Sequence, residues 1–350
     1  MGIIVHPSNP SFKHENKKKT QSRIHLARMV SSKLSPPAGT SPVSLLYPAA
    51  LCAFMVQHGL SKKSLSHSGA VAATVVGLGT FTNSPYVFGS VLLTFYLSSS
   101  KLTKFKSQIK KTLEEDHQEG GGRTAIQVFS NGAVGTVLAL AYQYVYWTSE
   151  SRPATLFMND WRASTILFAY IGHYACCNGD TWASELGILN KSWPTLITTL
   201  KKVPPGTNGG VSPLGLAASF GGGLLIGVAA AISVVVQLAL EAPISWKSGK
   251  GWTGLDAFSK AADVKFLFAL LLAGAGAGFF GSLLDSVLGA TVQKSNYSTK
   301  NKVITYKAAE KDDEIKPISG LDILDNHQVN FFSSMAIALA TGYLSWKALW

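Results

Sequence analysis

The sequence predicts an all-α fold, a polytopic transmembrane helix bundle of about seven or eight spans. Of the 350 residues, 47% are hydrophobic and 14% are charged, whereas soluble domains carry about 25% charged residues. The mean hydropathy is +0.20. The charges lie between long apolar runs, several of which approach the roughly 20 residues that cross a bilayer as a helix.

Eight apolar runs follow one another along the chain. The break from Thr82 to Pro85 makes the second and third runs either a tight hairpin or one broken helix, so the count is seven or eight. The predicted spans cover residues 43–60, 69–82, 84–100, 124–147, 161–178, 211–240, 264–290 and 329–348.

Residues 1–41 precede these runs and are polar and basic, with Glu15 as the single acid. This composition predicts either a disordered tail or an organelle-targeting segment. Residues 42–350 are expected to form the membrane domain, with its catalytic loops in the cytosol. We therefore expect an integral protein of the endoplasmic reticulum or another organelle membrane.

The net charge of +12 does not indicate a nucleic-acid-binding protein, because the basic residues lie in short loops beside apolar runs. That distribution is the positive-inside pattern. Loops 101–123, 179–210 and 291–328 are basic and fall on one side of an alternating topology, which the rule makes cytosolic. The three cysteines lie in apolar runs without a CxxC motif, so neither a disulfide framework nor a zinc site is predicted.

Two carboxylates, Asp180 and Glu185, lie at the end of the fifth apolar run. Five positions correspond to about 140° around a helix, so both cannot face one metal ion from a regular helix. Either Gly179 breaks the helix and frees Asp180, or the two residues act separately. Oxygen ligands suit Mg²⁺ held together with substrate phosphates. Capping of a helix by Asp180 is the alternative.

A third carboxylate, Asp285, lies within the run 264–290, where Ser282, Asp285, Ser286 and Gly289 share one helical face. A charged group is costly against lipid, so this stripe is expected to face the bundle interior. Near the last span, Asp325 is either a helix cap or a further carboxylate of the site.

Two glycine-rich segments invite opposite interpretations. Gly276–Gly281 matches GxGxxG, but it lies in an apolar run without a preceding strand, so we interpret it as a helix-packing surface. Lys201–Gly210 combines lysines with flexible backbone amides, the chemistry of a phosphate cradle. It lacks the P-loop pattern, and an interfacial turn is the simpler alternative.

The chain resembles the transmembrane protein 19 family of integral membrane proteins, which includes the plant phytyl-phosphate kinase. The resemblance extends from about residue 43 to residue 349. Its matching blocks are HGLSKKSLSHSGA (58–70), SKLTKFKSQIKKTLEE (100–115), GGRTAIQVFSNGAVGT (121–136), NGDTWASELG (178–187), LITTLKKVPPGTNGGVS (196–212), GSLLDSVLGATVQ (281–293) and GLDILDNHQVNFFSS (320–334).

The resemblance implies phosphoryl transfer from a nucleoside triphosphate, with CTP the expected donor, to an isoprenyl monophosphate in the bilayer. Catalysis and Mg²⁺ binding are then expected of Asp180, Glu185 and Asp285. Expected contacts to the donor are Lys201, Lys202, Gly206, Thr207, Asn208, Gly209 and Gly210. Lys101, Lys104 and Lys106 are expected to meet the acceptor phosphate or the nucleotide. The alternatives are a cytidylyltransferase that makes a CDP-lipid, and a membrane transporter or scaffold without catalysis.

Overall fold

The computed structural model describes residues 42–83, 85–105, 122–149, 155–241, 246–247, 251–252, 264–305 and 315–350. These residues form eight α-helices, one for each predicted apolar run. Residues 1–41 and Lys106 lie outside the described residues. The helices are α1 (Pro42–Ser61), α2 (His67–Phe81), α3 (Tyr86–Lys104), α4 (Ala125–Thr148), α5 (Trp161–Gly187), α6 (Pro213–Glu241), α7 (Val264–Val292) and α8 (Asn326–Leu349).

Helices α2 and α3 form a hairpin rather than one broken helix. The backbone amide of Arg123 donates to the Ser64 carbonyl, just before α2, at 3.0 Å. The guanidinium of the same residue donates through Nη1 to Ser100 Oγ, near the end of α3, at 2.9 Å. The start of α2 and the end of α3 therefore lie together, and the helices run antiparallel.

Three of the helices among the described residues, α4, α6 and α7, are long and apolar enough to cross a membrane by length and composition. The larger number of seven or eight crossings stays a prediction. Large apolar side chains nevertheless face outward on other helices as well, for example Leu339 and Leu344 on α8. Such extended apolar surface is expected where helices contact lipid.

Helix α5 is the centre of the bundle. Every residue from Leu167 to Gly179 is buried, which is the pattern of a helix surrounded by other elements. It packs against α4, α6, α7 and α8. Its aromatic side chains interlock with α3, where Tyr170 Oη donates to the Phe88 carbonyl at 2.8 Å. This packing fixes the position of the polar residues that follow Gly179.

Glycines bring α5, α6 and α7 into close contact. A Cβ atom on Gly179 would lie 2.7 Å from the Gly278 Cα atom, and a Cβ atom on Gly278 would lie 2.5 Å from the Gly223 Cα atom. Small residues at helix crossings allow backbones to approach in this way. The packing interpretation of Gly276–Gly281 is therefore correct at Gly278, whereas Gly276 has no neighbour within 4 Å of such an atom.

Small antiparallel sheets complete the fold, which the all-α prediction omitted. Strands β1 (Thr195–Leu196) and β2 (Gly210–Val211) pair, as do β3 (Trp246–Lys247) and β4 (Gly251–Trp252). A three-stranded sheet follows α7, with order β6-β5-β7. Its strands are β5 (Ser295–Ser298), β6 (Val303–Thr305) and β7 (Ile315–Ser319). Predicted loops 179–210 and 291–328 are thus partly ordered as hairpins.

One end of the bundle, here called the site end, gathers the ends of α3, α5 and α7 and the starts of α4, α6 and α8. Ser98 of α3 donates to Asn178 Oδ1 of α5 at 2.8 Å, and Ser333 of α8 donates to Asp285 Oδ2 of α7 at 2.9 Å. At the opposite end, the rings of Trp161 and Trp346 are 6.5 Å apart. The three basic loops predicted to share a side are thus connected to the same end of the bundle.

Candidate functional site at one end of the bundle

Asp180 and Asp285, here called the carboxylate pair, come together between α5 and α7. The two side chains interact electrostatically, and the Ser282 hydroxyl donates to Asp180. Glycine packing explains why they meet, because Gly179 contacts α7 directly and a Cβ atom on Gly281 would lie 2.5 Å from Cys176 Sγ. Asp180 and Asp285 each lie one turn after this contact between Cys176 and Gly281. Because the two helices are so close there, the two carboxylates are brought together.

The start of α8 supplies polar contacts to this pair. Ser333 Oγ donates to Asp285 Oδ2 at 2.9 Å. With its amide oriented to satisfy both neighbours, Asn330 donates to the Asn326 carbonyl at 3.1 Å and to Asp285 Oδ2 at 3.3 Å. The expectation that Asp285 faces the bundle interior is confirmed by these contacts.

The helix-capping alternative is wrong for Asp180 and correct for Asp325. Helix α5 continues from Trp161 to Gly187 without a break, so Asp180 lies inside it, and its N-cap is Asp160. Asp325 caps α8, since its carboxylate accepts from the Gln328 amide while the Gln328 side chain accepts from the Asp325 amide. Gly179 therefore does not free Asp180, and Asp180 and Glu185 have different neighbours.

Glu185 has Arg123 among its neighbours. The two charged groups interact electrostatically, and the guanidinium carbon lies 6.0 Å from the centre of the Tyr96 ring. Burial lowers the pKa of the Arg123 guanidinium, while Tyr96 and Glu185 act in the opposite direction. An arginine nevertheless stays protonated in proteins, so this end of the site carries a fixed positive charge.

The side chains that hydrogen-bond to the carboxylate pair, Ser282, Ser333 and Asn330, carry oxygen atoms that could serve as further ligands. Within the described ranges, no group of three or more His, Cys, Asp or Glu side chains has the geometry of a metal site. Two carboxylates flanked by the Ser282 and Ser333 hydroxyls remain. This donor set suits Mg²⁺, which is commonly bound by one or two carboxylates together with water and substrate phosphates. The predicted contribution of Glu185 to such a site stays a prediction.

Of the predicted lysines of α3, Lys104 binds the same segment as Arg123. Lys104 Nζ donates to the Lys62 carbonyl at 2.7 Å and to Ser64 Oγ at 3.1 Å. Arg123 binds the same segment through its backbone. Lys101 is exposed one turn earlier on α3. The structure thus brings Lys104 and Arg123 to one short loop between α1 and α2.

The glycine loop packs against the site end through its backbone. Gly206 and Gly209 have φ angles of +86° and +76°, which residues other than glycine rarely adopt. The Gly210 amide donates to the Thr207 carbonyl at 3.0 Å, and the Asn208 amide donates to Ser295 Oγ at 3.1 Å. A phosphate bound by these amides would have to replace those hydrogen bonds, so the cradle stays a prediction.

The two lysines before this loop differ in their contacts. Lys202 Nζ donates to the Trp193 carbonyl at 2.8 Å and so closes the β1–β2 hairpin. Lys201 is exposed. A Cβ atom on Gly209 would lie 2.5 Å from the Ser286 carbonyl oxygen, which places the loop beside the residue that follows Asp285.

Sequence reasoning missed the roles of Arg123 and Asn178. Asn178 Oδ1 accepts from Ser98 and Ser99, and its Nδ2 donates to the Gly222 carbonyl at 2.8 Å, so it joins α3, α5 and α6. Arg123 directly precedes a capping box of Thr124 and Gln127 at the start of α4. The pattern TxxQ before an apolar run was a signal that could have fixed its position.

Comparisons with known proteins place these features in a family. The profile of integral membrane protein DUF92 matches residues 50–338. The chain is 36% identical to Protein PGR of Arabidopsis thaliana over 313 residues, which covers 87% of this chain and 98% of that protein. No solved structure matches the chain.

More distant relatives are also named as membrane proteins. The chain is 25% identical to uncharacterized membrane protein MJ0933 of Methanocaldococcus jannaschii, over 67% of this chain and 77% of that protein. It is 27% identical to uncharacterized membrane protein sll0875 of Synechocystis sp., over 69% and 78%. The resemblance to an integral membrane family is confirmed, and the chain belongs to the DUF92 family of integral membrane proteins.

Proposed function

We propose that this protein is a membrane kinase that transfers the terminal phosphoryl group of CTP to an isoprenyl monophosphate. The bond between the β-γ bridging oxygen and the γ-phosphorus breaks, and an oxygen of the acceptor phosphate bonds to that phosphorus. The products are an isoprenyl diphosphate and CDP. The observation that carries the proposal is the carboxylate pair, held between apolar helices at the end of the bundle to which the basic loops connect.

Two adjacent carboxylates in a poorly hydrated place repel each other unless a cation or a proton intervenes. Asp180 and Asp285 would hold Mg²⁺. When bound, this ion would neutralise negative charge on the phosphate oxygens. Ser333 fixes the orientation of the Asp285 carboxylate, and Ser282 does so for Asp180. Phosphoryl transfer depends mainly on positioning and charge neutralisation, so rigid carboxylates between packed helices suit this reaction.

The charged loops would position the two substrates. Lys201 and Lys202 lie in the connection between β1 and β2, and Gly209 of the same connection approaches Ser286, the residue after Asp285. The two lysines would bind the triphosphate, which carries more charge than the acceptor. Lys104 and Arg123 lie on the side of α3 and α4 and would bind the acceptor. Glu185 would orient Arg123 through their electrostatic interaction. An acceptor that is already an anionic phosphate requires no strong general base, which fits a site without an accessible histidine among the groups described above.

The test is product analysis with the purified full-length protein in lipid nanodiscs. The protein is incubated with Mg²⁺, an isoprenyl monophosphate and CTP that is labelled either on the γ-phosphate or on the cytidine. The kinase predicts γ-label in a lipid diphosphate and release of CDP. Cytidine label in the lipid, with release of pyrophosphate, would instead make the protein a cytidylyltransferase. If neither labelled lipid forms with any isoprenyl chain length or nucleotide tested, the proposal is refuted.

A further inference from the structure

An apolar cavity of about 120 Å³ lies between α1, α2, α3, α4 and one face of α5. On α2 its wall extends from Ala73 to Phe81, eight positions or about 12 Å along the helix axis. Hydrophobic side chains provide most of the wall. Those from the first three helices are Cys52, Met55, Val56, Ala73, Val76, Phe81, Leu92, Leu93 and Phe95.

The polar residues of this cavity lie toward the site end. Arg123 contributes the charged group, and Gln127 lies in the first turn of α4. Thr181, the residue that follows Asp180 on α5, also lines the cavity. The cavity therefore joins a hydrocarbon wall to the neighbourhood of the carboxylate pair.

The charge at this polar end is positive. Arg123 and Lys104 are two cations that both hydrogen-bond to Ser64, in the loop between α1 and α2. Together with the carboxylate of Glu185, which interacts with Arg123, the three groups carry a net charge of +1. The guanidinium is held in place by Ser100, which accepts from Nη1 at 2.9 Å. Arginine binds phosphate through a planar set of donors, so a phosphate here would gain charge-assisted hydrogen bonds.

We propose that this cavity is the acceptor site, in which the isoprenyl chain lies among α1 to α4 and its phosphate binds Arg123 and Lys104. The identity of the ligand rests on the proposed kinase function, whereas its place rests on the cavity and the cations. A cavity of about 120 Å³ lined by five helices fits one hydrocarbon chain better than a two-chain phospholipid. Thr181 links the position of this phosphate to Asp180, where the donor would be held.

Direct titration of ligands without nucleotide tests the site. The ligands are an isoprenyl monophosphate and the isoprenyl alcohol with the same chain. Val128→Phe fills the cavity, and the matched control Val137→Phe alters a side chain on the same helix that is 65% exposed to the surroundings. We expect Val128→Phe to weaken both ligands by at least about 10-fold, or about 1.4 kcal/mol, and Val137→Phe to leave both unchanged.

The phosphate contact is tested separately with Arg123→Gln. Its matched control is Arg162→Gln, at the opposite end of the bundle, where Arg162 pairs with Asp160. We expect Arg123→Gln to weaken the monophosphate by about 10-fold to 100-fold, the usual range for a hydrogen bond to a charged group, while the alcohol binds as before. Equal weakening of both ligands would overturn the assignment of the phosphate.

Labelling of the wild-type protein guards against misfolded variants. An isoprenyl monophosphate with a photoreactive terminal group should label cavity residues such as Met55 or Leu92, identified by mass spectrometry, and the unlabelled monophosphate should compete. Labelling confined to the lipid-facing residues, or undiminished binding to Val128→Phe, would overturn the inference. If the monophosphate binds as described but no phosphoryl transfer occurs, the kinase proposal fails while the lipid site stands.

Discussion

Asp180 and Asp285 illustrate how single residues acquire a function from their surroundings. Each is an ordinary acid in the sequence, but packing at Gly179 and Gly281 places them next to each other between two apolar helices. Like charges in such a place destabilise the protein. The Mg²⁺ proposed to bind between the two carboxylates would offset this cost.

This argument makes a prediction for Asp180→Asn, which keeps the size of the side chain and removes its charge. We expect phosphoryl transfer to fall by at least about 100-fold, comparable to the loss of a key electrostatic group in other enzymes. The thermal unfolding temperature should stay the same or rise, because the repulsion with Asp285 is removed. Asp160→Asn, at the other end of α5, is the control, since asparagine also caps helices well.

Activity and unfolding temperature are measured on the same nanodisc preparations. A variant Asp180→Asn that remains as active as the wild type would exclude this residue from the metal site. A large drop in unfolding temperature together with the loss of activity would assign it a structural role instead.

Lys201 allows a test of the donor site that does not disturb the hairpin. Both Lys201 and Lys202 are exposed, but Lys202 also closes the hairpin through the Trp193 carbonyl. We expect Lys201→Ala to weaken CTP binding by about 10-fold and to change the binding of the isoprenyl monophosphate little, because the triphosphate carries more charge. Calorimetric titration of both ligands measures this difference.

The control for Lys201→Ala is Lys347→Ala, in the last turn of α8, at the end of the bundle opposite the site end. It removes one positive charge from the same protein without touching the proposed donor loop. Equal effects of the two substitutions on CTP would mean that the lysine acts only through the overall charge of the protein. An unchanged affinity in Lys201→Ala would remove this residue from the donor site.

Some of these site residues could be predicted from the sequence, whereas others could be identified only from the fold. An acid in an apolar run, such as Asp285, stands out because charge there is costly. Its partners do not, because serine and asparagine are common in helices and only the crossing of α7 with α8 brings Ser333 to it. Arg123 cannot be distinguished by sequence from the other basic residues of loop 101–123, and only the fold shows that it interacts with Glu185.

At the scale of helices, glycine spacing decides how the bundle is packed. Helices α6 and α7 cross where Gly223 and Gly278 face each other, and a Cβ atom on Gly278 would lie 2.6 Å from the Ser219 carbonyl oxygen and 2.5 Å from the Gly223 Cα atom. Backbone atoms on both sides cannot move aside as a flexible side chain would. A side chain at Gly278 would therefore force the backbones of the two helices apart.

This crossing predicts opposite outcomes for two glycines on the same helix. Gly278→Ala should lower the unfolding free energy by about 1–3 kcal/mol, the usual cost of overpacking. Gly276→Ala should be neutral or stabilising by up to about 1 kcal/mol, because its Cβ atom meets nothing within 4 Å and alanine favours helix. Thermal unfolding in detergent compares both variants with the wild type. Similar destabilisation of both would contradict this crossing.

Helices were easier to predict than strands in this chain. Each of the eight helices of the described residues coincides with an apolar run of the sequence, and three of these helices are long and apolar enough to cross a membrane. The sheet formed by residues 295–298, 303–305 and 315–319 has no comparable signal. Its first strand, Ser-Asn-Tyr-Ser, lacks the alternation of apolar and polar residues. It is positioned by tertiary contacts, including that of Ser295 with Asn208.

At the scale of the whole molecule, the proposed chemistry depends on all charged groups sharing one membrane face. Helix α8 connects the two ends of the bundle. Ser333, about two turns after the first residue of the helix, lies beside the carboxylate pair, and Trp346 in the last turn lies beside Trp161 at the start of α5. Its 24 residues span about 36 Å, slightly more than the hydrocarbon core of a bilayer.

Chemical labelling of introduced cysteines tests this arrangement. The native cysteines, Cys52, Cys176 and Cys177, are all buried, so background labelling should be low. Lys201→Cys lies on the hairpin at the site end, and Lys347→Cys lies in the last turn of α8. In sealed vesicles of one orientation, we expect a membrane-impermeant maleimide to label one of the two positions before permeabilisation and the other only after it. Positive-inside orientation predicts that Lys201→Cys is the one on the cytosolic face.

Labelling of both positions from the same side would mean that α8 does not cross the membrane. It would also contradict the topology predicted from the basic loops, in which the site end faces the cytosol and the other end of α8 faces the opposite side.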